Sequence, residues 1–375
     1  MRALLPYGTS PLAVELGERD IQIVEPVLPP PPPPLADLLE RALATVRLVG
    51  RRVTIVVSDP SRREPRDAFV QAIRERLPSA EVTIAIATGT HGPCDIAQLG
   101  LSDAALRDAT LINHDGHRAD DLIELGQTTR GTPVRVHRCI VDTDLVVATG
   151  CIRPHYFAGF GAGIKALFPG LGEATAIRIN HRLKTDPQAR AGVFVGNPCR
   201  DDLEEAAAMI DAPKLLLNGV CRPDDRLQDV VAGDVIAAFR TGAAIAKSLF
   251  TVRARPSSLV IASDALPISA SLYQAAKIAA AAAPLLEPGG TLVVVAECRD
   301  GVGPLDVVNE AVVRIGVLPR LPTQARLVLV SGLGESITKQ TLFEYGPSVE
   351  SICATQAGPI TVIPRASQLI CERAP

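Results

Sequence analysis

Tryptophan is absent from the chain, and all aromatic side chains together make up 3% of it. Its cores must therefore rest on Val, Ile, Leu and Ala. No basic run interleaves with aromatics, and the formal net charge is -3 with both signs spread along the sequence. This excludes nucleic acid as an expected partner. The longest apolar runs are interrupted by Gly, Pro or charge too often to span a bilayer. The opening MRALLPYGTSPLAVELGERD lacks a signal-peptide apolar core. Eight cysteines (Cys94, Cys139, Cys151, Cys199, Cys221, Cys298, Cys353, Cys371) are scattered without a C-x-x-C pair. Free thiols in a reducing cytoplasm are the reading, with no membrane partner. Neither a G-x-G-x-x-G turn nor a P-loop is found, so no nucleotide motif is assigned.

The 375 residues are 47% hydrophobic and 21% charged, a globular composition with length for two domains. Pro29 to Pro34 form an unbroken proline run that favours polyproline II. It reads as a stiff connector between an N-terminal hairpin and the first helix, ahead of the alternative of a docking peptide. A rhythm of short apolar strands ending in polar or glycine-rich turns follows. The strands lie in Arg52–Arg63, Val82–Gly92, Thr143–His155, Ser258–Asp264, Thr291–Gly301 and Ala325–Glu335. Leu272–Leu286 reads as a helix stopped by EPGG. Strands without alternation predict largely parallel sheets covered on both faces. The fold class is α/β, in two α/β domains. The pattern breaks at Arg253–Ser257, which divides 1–255 from 256–375, with the last residues free to pack back on the first domain.

Ligands of open α/β sheets bind beyond the carboxyl ends of the strands. Ionisable groups cluster there: Asp59 and Arg62, Thr88 and His91, His155 and Lys165, Glu297 and Asp300. Asp59 can cap the following helix, and Arg62 offers a rigid fork of donors for a carboxylate or phosphate. In ATGTHG the backbone at Thr88 and Gly89 could cradle a phosphate. His114 and His117 in NHDGH read as turn residues, and His137 in RVHRC as solvent-facing. In GCIRPHYFAGFGAGIKALFPGL, Gly159, Gly161 and Gly163 let a loop approach a ligand closely. Lys165, between Ile164 and Ala166, is partly desolvated, which lowers a lysine pKa and makes the amine nucleophilic. His181 falls on a helix or its end, an imidazole suited to nickel, copper or zinc. Arg190 and Asn197 are further polar candidates, and CRDDLEEAA reads as a helix start.

Together SDPSR, ATGTHG, NHDGH, RPHYFAGFGAGIKALFPG, NHRLKTDPQARAGVFVGNP, LYQAAK and GGTLVVVAEC resemble the nickel-pincer lactate racemase family. The segments run from Tyr7 to Gly334 in the family's order. The resemblance implies two α/β domains with the active site in the cleft between them. It implies nickel in a pyridinium-3,5-bisthiocarboxylic acid mononucleotide pincer attached covalently to Lys165, with His181 as the protein's nickel ligand. His91 and His155 fall at the acid–base positions. Asp59, Thr88 and Gly89 fall near the cofactor, and Arg62, Glu297 and Asp300 near the substrate. The implied activity is racemisation or epimerisation of a 2-hydroxy carboxylate by proton-coupled hydride transfer through a 2-keto acid. The C2 hydrogen is a very poor acid beside a carboxylate, so loss as hydride, with a histidine taking the hydroxyl proton, is the easier route. The enzymes that make the cofactor are implied partners.

The chain departs from the family's pattern near the lysine, where Gly161, Ala162, Gly163 and Ile164 stand for serine, glycine, glycine and arginine. Cys199 and Arg200 follow GNP in place of valine and histidine. Glu297 and Asp300 are acidic where lactate-active relatives offer an amide and a base. A preferred substrate other than lactate is expected. The competing readings are a non-catalytic nickel-cofactor carrier or sensor, and a different 2-hydroxy-acid oxidoreductase or Schiff-base enzyme on this scaffold.

Overall fold

The computed structural model describes residues 1–374. The chain forms two compact units, one of Leu28–Leu249 and one of Met1–Val27 together with the chain from Phe250 onward. The boundary expected at 255/256 thus falls at 249/250, and the first 27 residues join the later unit. Hydrogen bonding and burial explain this. Ile21–Ile23 pairs in parallel with Ile360–Ile363. The expected hairpin, Arg2–Leu5 with Leu12–Glu15, buries Leu5 and Val14 in a core with Leu259, Ile261, Val293 and Val295.

In the Leu28–Leu249 unit, six strands form one sheet: β1 (Arg52–Ser58), β2 (Glu81–Ala87), β3 (Thr110–Asn113), β4 (Leu145–Ile152), β5 (Lys214–Cys221) and β6 (Leu227–Asp234). Their order is β6-β5-β4-β1-β2-β3. All neighbours are parallel except β6, which runs antiparallel to β5. Five consecutive residues of β1, Val53–Val57, are buried, as a sheet covered on both faces requires. Five helices matter below: α1 (Leu35–Leu43), α2 (Arg66–Glu75), α3 (Ala174–Asn180), α4 (Pro198–Ala208) and α5 (Ala237–Phe250). Phe69 and Ile73 of α2 pack on Ile55, Val57, Ile84 and Ile86. The strand order reverses between β1 and β4, the position at which open α/β sheets leave a crevice. The proline run leads into α1, and Arg222 Nη1 donates to the Pro30 carbonyl at 2.9 Å.

The other unit contains a six-stranded parallel sheet. Its strands, in order, are Glu344–Tyr345, Arg326–Ser331, Leu286–Ala296, Ser257–Ser263, Ile360–Ile363 and Ile21–Ile23. A helix at Leu272–Ala282 covers it with Ala275, Ala276, Ile278 and Ala279. This helix ends at Ala282 rather than Leu286; a 3-10 turn at Ala283–Leu285 follows, and EPGG lies inside the strand Leu286–Ala296. Among the described residues no helix is long and apolar enough to cross a membrane.

Candidate active site

The rim of the Leu28–Leu249 sheet carries two linked clusters. The first follows β1 and β2. Asp59 is 6% exposed; its Oδ1 accepts from Ser61 N at 2.8 Å and its Oδ2 lies 3.3 Å from His91 Nδ1. Burial pushes this carboxyl up, but the hydrogen bonds of His91 and Ser61 outweigh it and lower Asp59 to about 2. As a carboxylate only accepts, His91 Nδ1 carries the proton and Nε2 keeps its lone pair in the neutral ring. The turn is braced from below. Buried Glu64 accepts from Ser58 N at 3.0 Å and from the Ser58 and Thr149 hydroxyls, and Arg66 donates to the Asp59 and Arg62 carbonyls. Arg62 itself is exposed.

Thr88 and Gly89 are placed differently from a phosphate cradle. The N–H groups of Thr88, Gly89 and His91 donate to Ile86 O, Gly170 O and Thr88 O at 2.9–3.1 Å. Those donors are committed to the backbone, and the Gly89–Gly170 bond ties this turn to the loop that carries Lys165. The Thr88 hydroxyl donates to His114 O at 2.7 Å.

The second cluster follows β4. Pro154–His155 pairs with Gly159–Phe160 in a short hairpin. His155 Nδ1 accepts from Ala158 N at 3.2 Å, so its neutral ring holds the proton on Nε2, the opposite tautomer to His91. Two of the glycines are required. Gly159 has φ +73°, and a Cβ there would lie 2.0 Å from Val193 O; Gly163 has φ +63°, and a Cβ there would lie 2.5 Å from the Phe239 ring. The loop approaches its own protein closely at both.

Phe157 is the centre of this cluster. Its ring lies 4.6 Å from the His155 ring, 4.8 Å from the His181 ring and 5.8 Å from Lys165 Nζ. Burial, together with the charges of Arg200 and Arg62, lowers Lys165 to about 8. Burial and Lys165 lower His181 to about 3, so its imidazole is neutral, the form that binds metals.

His181 caps the end of α3. Its Nδ1 lies 3.1 Å from Asn180 Oδ1, while Asn180 Nδ2 donates to Asp202 Oδ2 at 2.7 Å. An amide oxygen only accepts, so His181 Nδ1 carries the proton and Nε2 keeps the lone pair. Asp202, fully buried, also accepts from the Thr128 and Thr132 hydroxyls at 2.5 and 2.7 Å. Asn197 caps α4 through Oδ1 and holds Phe157 O with Nδ2 at 2.8 Å. Arg190 is exposed. Ile164 and Arg200 are both fully buried, and the Arg200 guanidinium stacks 3.7 Å over Phe239.

His137 is a correction. It is 7% exposed rather than solvent-facing, because Leu171 and Gly172 pair across its strand. His114 is structural as expected, 1% exposed with Nε2 3.0 Å from Gly172 O. Glu297 and Asp300 belong to the other unit. Glu297 packs against Gly8, where a Cβ would lie 2.0 Å from Oε2, and Asp300 is exposed. Phe157, Asn180 and Asp202 were not singled out from the sequence. The aromatic run at 156–157 was the one local signal for any of them.

The rim of this parallel-sheet unit thus gathers a desolvated lysine and imidazoles whose hydrogen bonds fix their protons, a set suited to acid–base chemistry. Residues 7–192 match the lactate racemase N-terminal domain. A lactate racemase of Thermoanaerobacterium thermosaccharolyticum is 29% identical over 320 residues, 80% of this chain and 75% of that protein. A lactate racemase of Lactiplantibacillus plantarum is 28% identical over 260 residues, 67% of this chain and 61% of that protein. The lactate racemase apoprotein structure from the first organism superposes with a TM-score of 0.85 at 23% identity, covering 99% of this chain and all of that one. A Thermotoga maritima protein shares the fold with a TM-score of 0.66 at 15% identity, over 90% of this chain and 96% of its own. The chain is a homologue of the lactate racemase family, and an enzyme of the isomerase class.

Proposed function

We propose that the protein racemises or epimerises a 2-hydroxy carboxylate with a nickel-pincer pyridinium mononucleotide carried on Lys165. The observation that carries this reading is the grouping of His155, Lys165 and His181 around the single ring of Phe157. The residues fit such a group. Among the described residues no three His, Cys, Asp or Glu side chains converge to hold a metal, so nickel at His181 would need its other donors from the cofactor. His181 has the ligating tautomer, with Nε2 unprotonated, and Lys165 has an amine that loses its proton near pH 8. When bound, the cofactor supplies a two-electron acceptor for the C2 hydrogen.

The chain's own residues handle protons. His91, its Nδ1 held by ionised Asp59, takes the hydroxyl proton of one enantiomer at Nε2. His155 holds a proton on Nε2 to return to the product oxygen. The Phe157 ring packs edge-on against both the His155 and the His181 rings. The cofactor-making enzymes supply the group in the cytoplasm. The departures at Ile164, Arg200, Glu297 and Asp300 favour a substrate other than lactate. A carrier would need Lys165 and His181 alone, and the Asp59–His91 pair favours turnover.

Intact mass spectrometry of protein produced with the cofactor-making enzymes tests the reading. An adduct on Lys165 with stoichiometric nickel supports it, and an unmodified lysine under those conditions removes it. A panel of chiral 2-hydroxy acids then identifies the substrate by loss of optical purity.

A further inference from the structure

The carboxyl ends of β4 and β5 hold a second cluster of reactive side chains that the proposed reaction does not use. Cys151 in β4 stands opposite Gly219 in β5. With no side chain at Gly219, the Cys151 sulfur leans over it; a Cβ there would lie 3.1 Å from Sγ. Cys221, two residues further, projects from the same face. The two thiols are near enough to interact across the β4–β5 pair. Arg153 Nη2 donates to Cys221 Sγ at 3.3 Å and to Asp225 Oδ1 at 3.1 Å. A sulfur that accepts from a guanidinium is placed to exist as thiolate. Cys151 and Arg153 lower Cys221 against the effect of burial. Cys221 is 1% exposed and Cys151 is partly exposed, so Cys151 is the member of the pair nearer to solvent.

We propose that Cys151 and Cys221 are a peroxide-sensitive dithiol that closes reversibly to a disulfide. The Cys221 thiolate attacks a hydroperoxide oxygen; an S–O bond forms, the O–O bond breaks, and the leaving hydroxide takes up the proton that the Cys221 thiol released to solvent on ionising. The Cys151 sulfur then attacks the sulfenic sulfur; the S–S bond forms, and the S–O bond breaks with loss of water. Two thiols are oxidised, and one hydrogen peroxide is reduced to two waters. The disulfide brings the two sulfurs to about 2.05 Å and removes the Cys221 thiolate from Arg153, which keeps only Asp225. Cys221 sits at a break in the β5–β6 register, where the strand end can shift. The Arg153 carbonyl accepts from Gly161 N at 2.8 Å, so the displacement is passed to the glycine loop before Lys165.

The test is made on the full chain and does not depend on whether Lys165 carries a group. The protein is treated with stoichiometric hydrogen peroxide, alkylated with iodoacetamide and mapped by mass spectrometry. The expected product has lost two hydrogens, carries a Cys151–Cys221 cross-linked peptide and returns to the starting mass with dithiothreitol. In Cys151→Ser, dimedone is expected to trap a sulfenic acid on Cys221. Peroxide consumption at Cys221 about tenfold or more faster than at Cys371, whose thiol burial pushes up to about 12, is also expected. Cross-links confined to other cysteines, or a Cys221 rate no greater than that of Cys371, overturn the proposal. The wild-type rate comparison needs no variant and decides the matter if Cys151→Ser does not fold.

Discussion

Asn180 links Asp202 to His181, donating from Nδ2 to the buried carboxylate and accepting at Oδ1 from the imidazole Nδ1–H. Outer partners of this kind orient a metal-binding imidazole and raise its basicity. Asn180→Ala is therefore expected to weaken nickel retention in the loaded protein by roughly 10–100-fold, read by competition with a chelator. Asp202→Ala also strips the acceptor from the Thr128 and Thr132 hydroxyls. With each buried unpaired group costing roughly 1–3 kcal/mol, it should lose about 3 kcal/mol or more of folding stability in urea. Unchanged nickel retention in Asn180→Ala would show that the amide does not orient the ligand.

Lys165 sets a pH dependence whose direction follows from its shift. Its value falls from 10.5 to about 8 in the fold, with burial the first cause. Between those two pH values the unfolded chain binds more protons at this site than the folded one. The destabilisation from burying the charge is therefore full below about pH 8, and stability rises with pH from there to 10.5. Acylation of the unloaded protein, followed at Lys165 by peptide mass, should show a midpoint near pH 8. A midpoint at the ordinary value of 10.5 would mean the amine is solvated.

Much of this architecture is legible in the residues. The apolar runs of β1, β2 and β4 need no alternation because both sheet faces are covered. Their polar ends announce Asp59, His91 and His155. β3 and β6 are less plain: β3 has four residues and none fully buried, and β6 is an antiparallel strand of mixed burial. Asn180 and Asp202 escape notice for another reason. Their roles come from contacts across 22 and 74 residues of chain, which no local spacing encodes. The N-terminal hairpin could be read as a hairpin, but its unit could not. That depends on Ile21–Ile23 finding an edge in a sheet whose other strands lie more than 200 residues away.

Gly159 is the position at which the loop tolerates least. Its φ of +73° disfavours any side chain, and the added Cβ would meet backbone, Val193 O at 2.0 Å, which cannot rotate away. Gly159→Ala is expected to cost about 3 kcal/mol or more through combined strain and overpacking, and to break the Gly192 N to Gly159 O bond of 3.1 Å. Urea titration gives the stability. Gly161→Ala is the control: φ at 161 is not positive, and the nearest atom to its Cβ would be Arg153 O at 3.8 Å. Equal losses in the two variants would mean that loop packing, not the Val193 contact, sets the requirement.

The opposite tautomers of His91 and His155 make a distinct kinetic prediction. Replacing either by Ala removes one partner in proton transfer and should lower racemisation by about 10²–10⁴-fold. Nickel loading should remain, because neither ring belongs to the Asn180–His181 pair. Asp59→Asn is the finer test. Asparagine can turn its NH₂ toward His91 Nδ1, which moves the ring proton to Nε2 and removes the base. Its activity is expected between wild type and His91→Ala, with the fold intact by circular dichroism. Chiral analysis of product formed from each enantiomer by the loaded variants measures both rates. If nickel loading collapses in both histidine variants, the assignment of His91 and His155 to proton transfer fails, and the rings are holding the cofactor instead.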